Sequence, residues 1–345
     1  MLAVFVFGSL DGFAQLDRGT IRKNNKRIMT YRGKKSNFSK EKRYFSVGFT
    51  INALNYYGDL APNPGRFSTD ISFTRPAIGL SVMQRLGPRY SVTGGFMYGT
   101  LRGSDFSSAD ANDTESGRYR YLRNLSFRNR IKELSVVASY DLVENQATYL
   151  SRAKWTPFLF SGVAVFHHNP QATAPETGLD NQPLPEAGEW VNLRELGTEG
   201  QYADLLPTDA NQGIKPYNLI QFAIPIGVGV RFRVHDVLDF SAEVGFRYLF
   251  TDYIDDVSKN YVDLGVLDSE LARALAYRSN ELTTPDVARA AITARNGVTY
   301  NLINGYGHEY PTNMRGRKED KDIFMVTTLR LSYIVGKTMH RAKFR

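Results

Sequence analysis

The sequence predicts an all-β fold: an eight-stranded antiparallel transmembrane β-barrel with long extracellular loops, the last of them containing short helices. Three observations carry this expectation. From Tyr44 onward, apolar residues alternate with small or polar ones at the period of two that marks strands. The apolar faces are long and aromatic, with 20 Tyr and 21 Phe in the chain, as in strands that carry aromatic girdles. The connections are short after strands two, four and six and long after strands one, three, five and seven, the pattern of a barrel with short periplasmic turns, long outer loops and periplasmic termini.

The strands follow in order. Phe45, Val47, Phe49, Ile51 and Ala53 share one face of the first, and Ile78, Leu80 and Val82 one face of the second, opposite Ala77, Gly79, Ser81 and Arg85. The turn Gly87-Pro88-Arg89 leads into Tyr90, Val92, Phe96 and Tyr98. Leu134, Val136, Ala138, Tyr140 and Leu142 line the fourth strand, against Glu133, Ser135, Ser139 and Asp141. A fifth runs from Pro157 to about His168, apolar on both faces between Phe158 and Phe166, so its register stays open. In the sixth, Phe222 to Val234 alternate with Ala223, Gly227, Gly229, Arg231 and Arg233; in the seventh, Leu238 to Phe250 alternate with Asp239, Ser241, Glu243, Gly245 and Arg247. A three-residue turn, His235-Asp236-Val237, pairs Val234 with Leu238 and sets Arg233 opposite Asp239. The eighth strand spans Ile323 to Ile334.

Such faces invert the pattern of a soluble sandwich, putting apolar residues toward lipid and small and charged ones inside. Eight strands leave an interior that side chains just fill, which argues against a wide pore. Glu133, Asp141, Arg231, Arg233, Asp239, Glu243 and Arg247 then form an interior charge network that fixes register, since buried charges must pair. The glycine pairs Gly94-Gly95 and Gly227-x-Gly229 precede no helix and read as strand positions where neighbours pack closely. In the last loop, residues 268 to 278 and a segment opened by Thr284-Pro285-Asp286 and running through Ala291 read as helices, the latter with Thr as N-cap and Pro at the first helical position.

Composition narrows the function. With no Cys, disulfides, thiol nucleophiles and a lipid-bearing N-terminal Cys are ruled out. No stretch approaches the ~20 apolar residues of a helical membrane span. Leu2 to Phe7 followed by Gly12-Phe13-Ala14 resembles a signal peptide, cut after Ala14. Residues 16 to 43 hold eleven Lys and Arg against two acids, a formal +9, so the chain's net +8 resides in this stretch and the remainder is near neutral. The expected organisation is a signal peptide at 1–14, a basic periplasmic arm at 15–42, the barrel at 43–336 and a basic tail at 337–345. The arm reads as a solvated tail or as a docking segment for an acidic partner, through Arg22, Lys23, Lys26, Arg27, Lys34 and Lys35. It lacks the folded basic face and stacking aromatics of a nucleic-acid binder.

No spacing marks a catalytic site. His167 and His168 lie near the outer rim without a recognisable Ser or acid partner and read as rim residues. Asp252, Asp255, Asp256 and Asp263 lack the spacing of an EF-hand and read as turn and cap residues in preference to a calcium site. No cofactor is expected.

Several segments together resemble one family. These are Asn55-Tyr56-Tyr57-Gly58-Asp59-Leu60; Asn124-Leu125-Ser126-Phe127-Arg128 with Glu133-Leu134; Thr251-Asp252-Tyr253-Ile254-Asp255-Asp256-Val257-Ser258 continued by Tyr261-Val262-Asp263; and Arg315-Gly316 with Asp322. Over about residues 43 to 335 they are similar to the PorG-like outer-membrane proteins of Bacteroidota, with Tyr57, Gly58, Asp59, Asp252, Tyr253, Asp255 and Asp256 as the motif residues. The resemblance implies an outer-membrane component of the type IX secretion system, which exports cargo across that membrane and in some species supports gliding. It also implies association with a periplasmic ring of PorK- and PorN-like proteins. The expected function is therefore non-enzymatic, linking that ring to the outer membrane and its lipid. A small outer-membrane channel or a lipid-modifying barrel enzyme is the alternative.

Overall fold

The computed structural model describes residues 38, 42–61, 73–114, 117–282, 287–317 and 321–335. The chain divides into two compact units, Met1–Ser39 and Lys40–Arg345, and the second is described below. The expected signal peptide, the arm residues Arg22, Lys23, Lys26, Arg27, Lys34 and Lys35, and the tail at 337–345 lie outside the described residues.

The strands are β1 (Phe45–Tyr57), β2 (Arg75–Arg85), β3 (Tyr90–Ser104), β4 (Ser126–Asp141), β5 (Trp155–His167), two short ones, β6 (Pro170–Thr173) and β7 (Trp190–Asn192), then β8 (Ile220–His235), β9 (Leu238–Leu249), a hairpin of β10 (Arg289–Thr293) and β11 (Thr299–Ile303), and β12 (Ile323–Val335). Eight of them pair in the order β3-β2-β1-β12-β9-β8-β5-β4, and β3 pairs with β4 to close the ring. Every neighbour is antiparallel. Closure removes the edge strands that lipid could not satisfy. The barrel strands run from 11 to 16 residues, enough for the ~9–11 that a tilted strand needs to cross a bilayer.

The outer wall presents exposed apolar residues on every strand. Leu134, Val163 and Phe222 expose 63%, 64% and 60% of their surface, a band that belongs against hydrocarbon chains and not against water. The fold is thus a transmembrane barrel. Phe45 pairs with Val335, which sets the start of β1 and the end of β12 at the rim of the short turns.

Inside, three levels succeed one another. At the short-turn rim, Tyr44, Met83 and Ile334 cluster beneath ion pairs. The middle is polar, a cavity of about 60 Å³ lined by Asn52, Ser81, Ser139, Thr328 and four charged residues. Toward the long-loop rim the interior turns apolar and dry: Leu54, Leu101, Phe127, Ile131, Phe166, Phe324 and Val326 are all buried in one cluster. The sequence expectation of a small and charged interior therefore holds for the lower half alone. In the upper half of a strand such as β5 both faces are apolar, because one meets lipid and the other meets the plug.

One register left open resolves, and two local expectations change. The register left open in β5 resolves with Phe158, Phe160, Ala164 and Phe166 inward and Leu159, Val163 and Val165 outward. Gly227 faces Phe160 on the neighbouring strand, where a Cβ would sit 2.5 Å from the ring's Cζ and 2.3 Å from the Val244 carbonyl oxygen. Any larger residue would displace the ring that crosses the lumen. The β8–β9 turn has two residues, Asp236 and Val237: His235 pairs with Leu238, and a bulge between Arg233 and His235 absorbs Val234 while keeping Arg233 opposite Asp239.

Among the described residues, the helix expected from Thr284 through Ala291 is not formed. Residues 283–286 lie outside the described residues, and Arg289–Thr293 is β10, paired with β11. The hairpin sets Ile292, Tyr300 and Leu302 against the apolar core of the loop, and that packing overrides the helical propensity of the alanines, as tertiary context commonly does. The other expected helix forms as Glu270–Ala276, with the Ser269 hydroxyl accepting from the Ala272 N–H at 3.1 Å.

Candidate functional site

Two sets of polar residues stand out, one in the lumen and one at the long-loop rim. In the lumen the inward positions of facing strands bring opposite charges together. Arg247 reaches across to Glu133 at 3.2 Å, and Arg330 to Glu243 at 2.9 Å. Nearer the short turns, Asp141 receives Arg85 and, at 3.3 Å, Arg231. Asp239 is held by Arg152, from the β4–β5 turn, through Nε at 2.9 Å and Nη2 at 2.7 Å. The same guanidinium donates to the carbonyls of Tyr149, Asp236, His235 and Leu238, so one side chain pins two turns together.

Of the seven residues read as an interior network, six lie in these pairs. Arg233 does not: it leaves the lumen to meet Asp236 at 2.5 Å, because Arg152 already occupies Asp239. Three partners were missed as charge partners: Arg85, Arg330 and Arg152. Arg85 and Arg330 were visible at inward positions of their strands. Arg152 sits in a turn, where no period assigns a face.

The rim set ties the four long loops into a clasp above the apolar plug. Asp105, fully buried just after β3, accepts from Arg123 Nε at 2.7 Å and Nη2 at 2.9 Å. This bidentate pair joins the two short helices of loop two, Asp105–Ser108 and Gly117–Arg123. Arg123 also donates to the carbonyls of Asp59 in loop one, at 2.7 Å, and of Arg315 in loop four, at 2.6 Å. Arg315 in turn donates to Glu199 of loop three at 3.2 Å and to the Asp256 carbonyl at 2.5 Å. The Asp256 carboxylate accepts from Thr198 at 2.5 Å and Tyr217 at 2.8 Å. Its backbone sits at φ 69°, a left-handed conformation that costs a non-glycine residue ordering energy and persists because both carboxylate oxygens and the carbonyl are held.

Beside this lies an acidic pair. The Tyr56 hydroxyl is 2.7 Å from Asp255 Oδ2 and 2.8 Å from Asp322 Oδ1. One hydroxyl proton cannot serve two carboxylates, so the second contact requires a proton on one of the acids. Burial, reinforced by Asp322 and Asp59, pushes the Asp255 carboxyl well above the usual range. Burial likewise raises Asp322 to about 8, and burial with the repulsion of Asp322 raises Asp252 to about 9. Gly58 makes the close approach possible: a Cβ there would lie 2.1 Å from both Asp322 Oδ1 and the Tyr56 hydroxyl.

The motif residues divide accordingly. Gly58, Asp59, Asp255 and Asp256 belong to the clasp; Tyr253 stacks on Tyr217 at 4.8 Å beside it. Tyr57 points the other way, its ring 6.5 Å from Phe246 on the outer wall. The clasp's other members, Asp105, Arg123, Thr198, Glu199 and Tyr217, carry no periodic signal in the sequence, since each lies in a loop or a short loop helix.

Two of these carboxylates cap local turns. Asp255 accepts from the Val257 N–H at 3.0 Å, and Asp263 from the Gly265 N–H at 2.7 Å, as cap residues do. Among the described residues no group of three His, Asp or Glu side chains is arranged to hold a metal ion. His168 is buried against Tyr217 with Nε2 3.0 Å from the Asn218 carbonyl, and burial lowers it to about 4, which keeps it neutral.

Comparison with known proteins adds the following. The profile of a domain of unknown function, DUF6089, matches residues 34–183. No curated protein matches. Solved structures with a similar trace include Neisserial surface protein A, at 7% identity and a TM-score of 0.34 over 84% of this chain and 96% of that one. The outer membrane protein OprG of Pseudomonas aeruginosa aligns at 7% identity and 0.35, over 88% and 100%. A major outer membrane protein of Thermus thermophilus aligns at 11% and 0.33, over 84% and 99%. By its own closure, strand lengths and apolar wall, the chain is an eight-stranded transmembrane β-barrel, with a DUF6089 match across its first half.

Proposed function

We propose that this protein is a non-enzymatic outer-membrane barrel, with periplasmic termini and turns, that serves as a fixed membrane component of the type IX secretion machinery and links a PorK- and PorN-like periplasmic ring to the membrane. The observation that carries the non-enzymatic, non-porous part is the plug: Leu54, Leu101, Phe127, Ile131, Phe166 and Phe324 fill the lumen beneath a clasp made of all four long loops. Among the described residues, a lumen filled in this way supports a reading without a solute path or a substrate site inside the barrel. The secretion role is supported by the resemblance to PorG-like proteins. The residues that carry it, including Asp59, Asp255, Asp256, Arg315 and Asp322, are those of one hydrogen-bonded assembly at the long-loop rim.

The test is extraction from outer-membrane fractions in mild detergent, followed by identification of what co-purifies. Recovery of PorK- and PorN-like ring proteins is expected, weakened by deletion of residues 16–42 while the barrel stays folded. A barrel that emerges alone would overturn the secretion role.

A further inference from the structure

The outer wall carries one departure from its apolar character. Along the eight barrel strands, the outward positions bear charged side chains at four places among the described residues: Arg102 on β3 and Arg128, Arg130 and Lys132 on β4. All four are cations, on adjacent strands, at the long-loop end. Arg102 stands directly opposite Arg128, Thr100 opposite Arg130 and Tyr98 opposite Lys132. Like charges set across a strand pair are destabilising unless something neutralises them. Every acid of the barrel strands (Glu133, Asp141, Asp239, Glu243) is buried on the inward face, so the wall itself supplies no neutralising group. Arg128 is oriented by its neighbours, its guanidinium 3.7 Å over the Trp190 ring and bonded to Gln171 at 2.9 Å, while Arg102, Arg130 and Lys132 extend exposed.

Depth identifies the partner. Tyr140 marks the short-turn end of the outward face of β4, and Lys132 and Arg128 lie eight and twelve residues further along. At a rise of about 3.4 Å per residue and a tilt near 45°, those positions stand roughly 19 and 29 Å above Tyr140, straddling the far edge of a ~25 Å apolar band. Tyr98 and Trp190 flank the cluster, as amphipathic aromatics do at a headgroup boundary. A cationic patch facing sideways at this depth meets the headgroups of the surrounding leaflet. We propose that Arg102, Arg128, Arg130 and Lys132 form a binding site for the phosphorylated headgroup of a membrane lipid in the leaflet on the long-loop side, with the arginines engaging phosphate oxygens in pairs and Lys132 as a point charge. The proposal rests on the reading of the chain as a membrane-inserted barrel.

The experiment titrates the detergent-solubilised full-length protein with phosphatidic acid, a phosphomonoester lipid, and with zwitterionic phosphatidylcholine, counting bound lipids by native mass spectrometry. The wild type is expected to prefer phosphatidic acid by about tenfold or more, a difference of ~1.4 kcal/mol. The combined variant R102Q/R130Q/K132Q should lose that preference, R89Q at the opposite rim should keep it, and inorganic phosphate should fail to compete. Equal binding of both lipids by the wild type, retention of the preference by the triple variant, or full displacement by inorganic phosphate would each overturn the proposal. Heat-modifiable migration on gels is read in parallel for each variant. A wild type lacking it indicts the barrel reading, whereas its retention with no lipid preference indicts the site alone.

Discussion

The two halves of the lumen hold the barrel shut by different means. Near the short turns, charges meet in pairs across the lumen, each carboxylate caught by one or two arginines projecting from facing strands or from a turn. Near the long loops the lumen is filled with aliphatic and aromatic side chains, and the ion pairs move up into the loops themselves. The lower half shows that charge can fix strand register, since a slip of one residue would carry an arginine or carboxylate into lipid. The upper half shows loops held over an apolar plug by ion pairs of their own, with Tyr56 and Asn129 as the polar anchors that the strands supply.

Breaking each half separately sharpens this contrast. Asp141→Ala leaves Arg85 and Arg231 buried without their carboxylate, a loss on the order of 3–5 kcal/mol. It should depress the whole barrel, read as a lower unfolding midpoint in urea by heat-modifiable migration. Asp105→Ala removes the partner of Arg123 at comparable local cost, about 3–5 kcal/mol. Here the expected readout is accelerated proteolysis within residues 105–125 and 250–322, with the barrel midpoint nearly unchanged. If both variants lowered the midpoint equally, clasp and barrel would be one cooperative unit and the contrast would fail. Gly227→Val drives a side chain into Phe160 and the Val244 carbonyl, and overpacking of this kind costs about 1–3 kcal/mol. Its urea midpoint should fall by less than that of Asp141→Ala.

The smallest effect is one of pH. The buried Asp322 carboxyl holds its proton up to about 8, whereas in an unfolded chain it releases it near 3.8. Between those values the folded loops bind a proton that the unfolded chain has lost, so their stability falls as pH rises through the window. Amide exchange in residues 250–258 should quicken from pH 5 to pH 9 beyond the intrinsic base-catalysed increase. Asp322→Asn should flatten that excess, since an amide can accept from the Ile254 N–H and donate to Tyr56, leaving the tyrosine proton for Asp255. An unchanged excess in this variant would remove Asp322 from the account.

Much of the barrel was legible because its strands answer to one rule, period two, and because the connection lengths sort by parity. The inward positions of Glu133, Asp141, Arg231, Asp239, Glu243 and Arg247 follow from that rule alone. Arg233 obeyed the register and still escaped, because a turn arginine that no period predicts took its carboxylate. The plug was hidden in plain runs such as Phe158 to Phe166, where lipid on one side and packing on the other erase the alternation. The clasp was the least legible: Arg123, Glu199 and Arg315 lie far apart in loops and meet only through the fold. The hairpin at 289–303 defeated a reasonable helical signal because β-pairing let Ile292 and Tyr300 reach the loop core.

The central claim, that this barrel spans the membrane and is sealed, meets its most direct test in conductance across a planar bilayer. Purified full-length protein, first shown to be inserted by its heat-modifiable migration, should produce no stepwise ion current above the bare bilayer. Reproducible open steps from inserted wild-type protein would contradict the account and return attention to a path through the polar middle of the lumen.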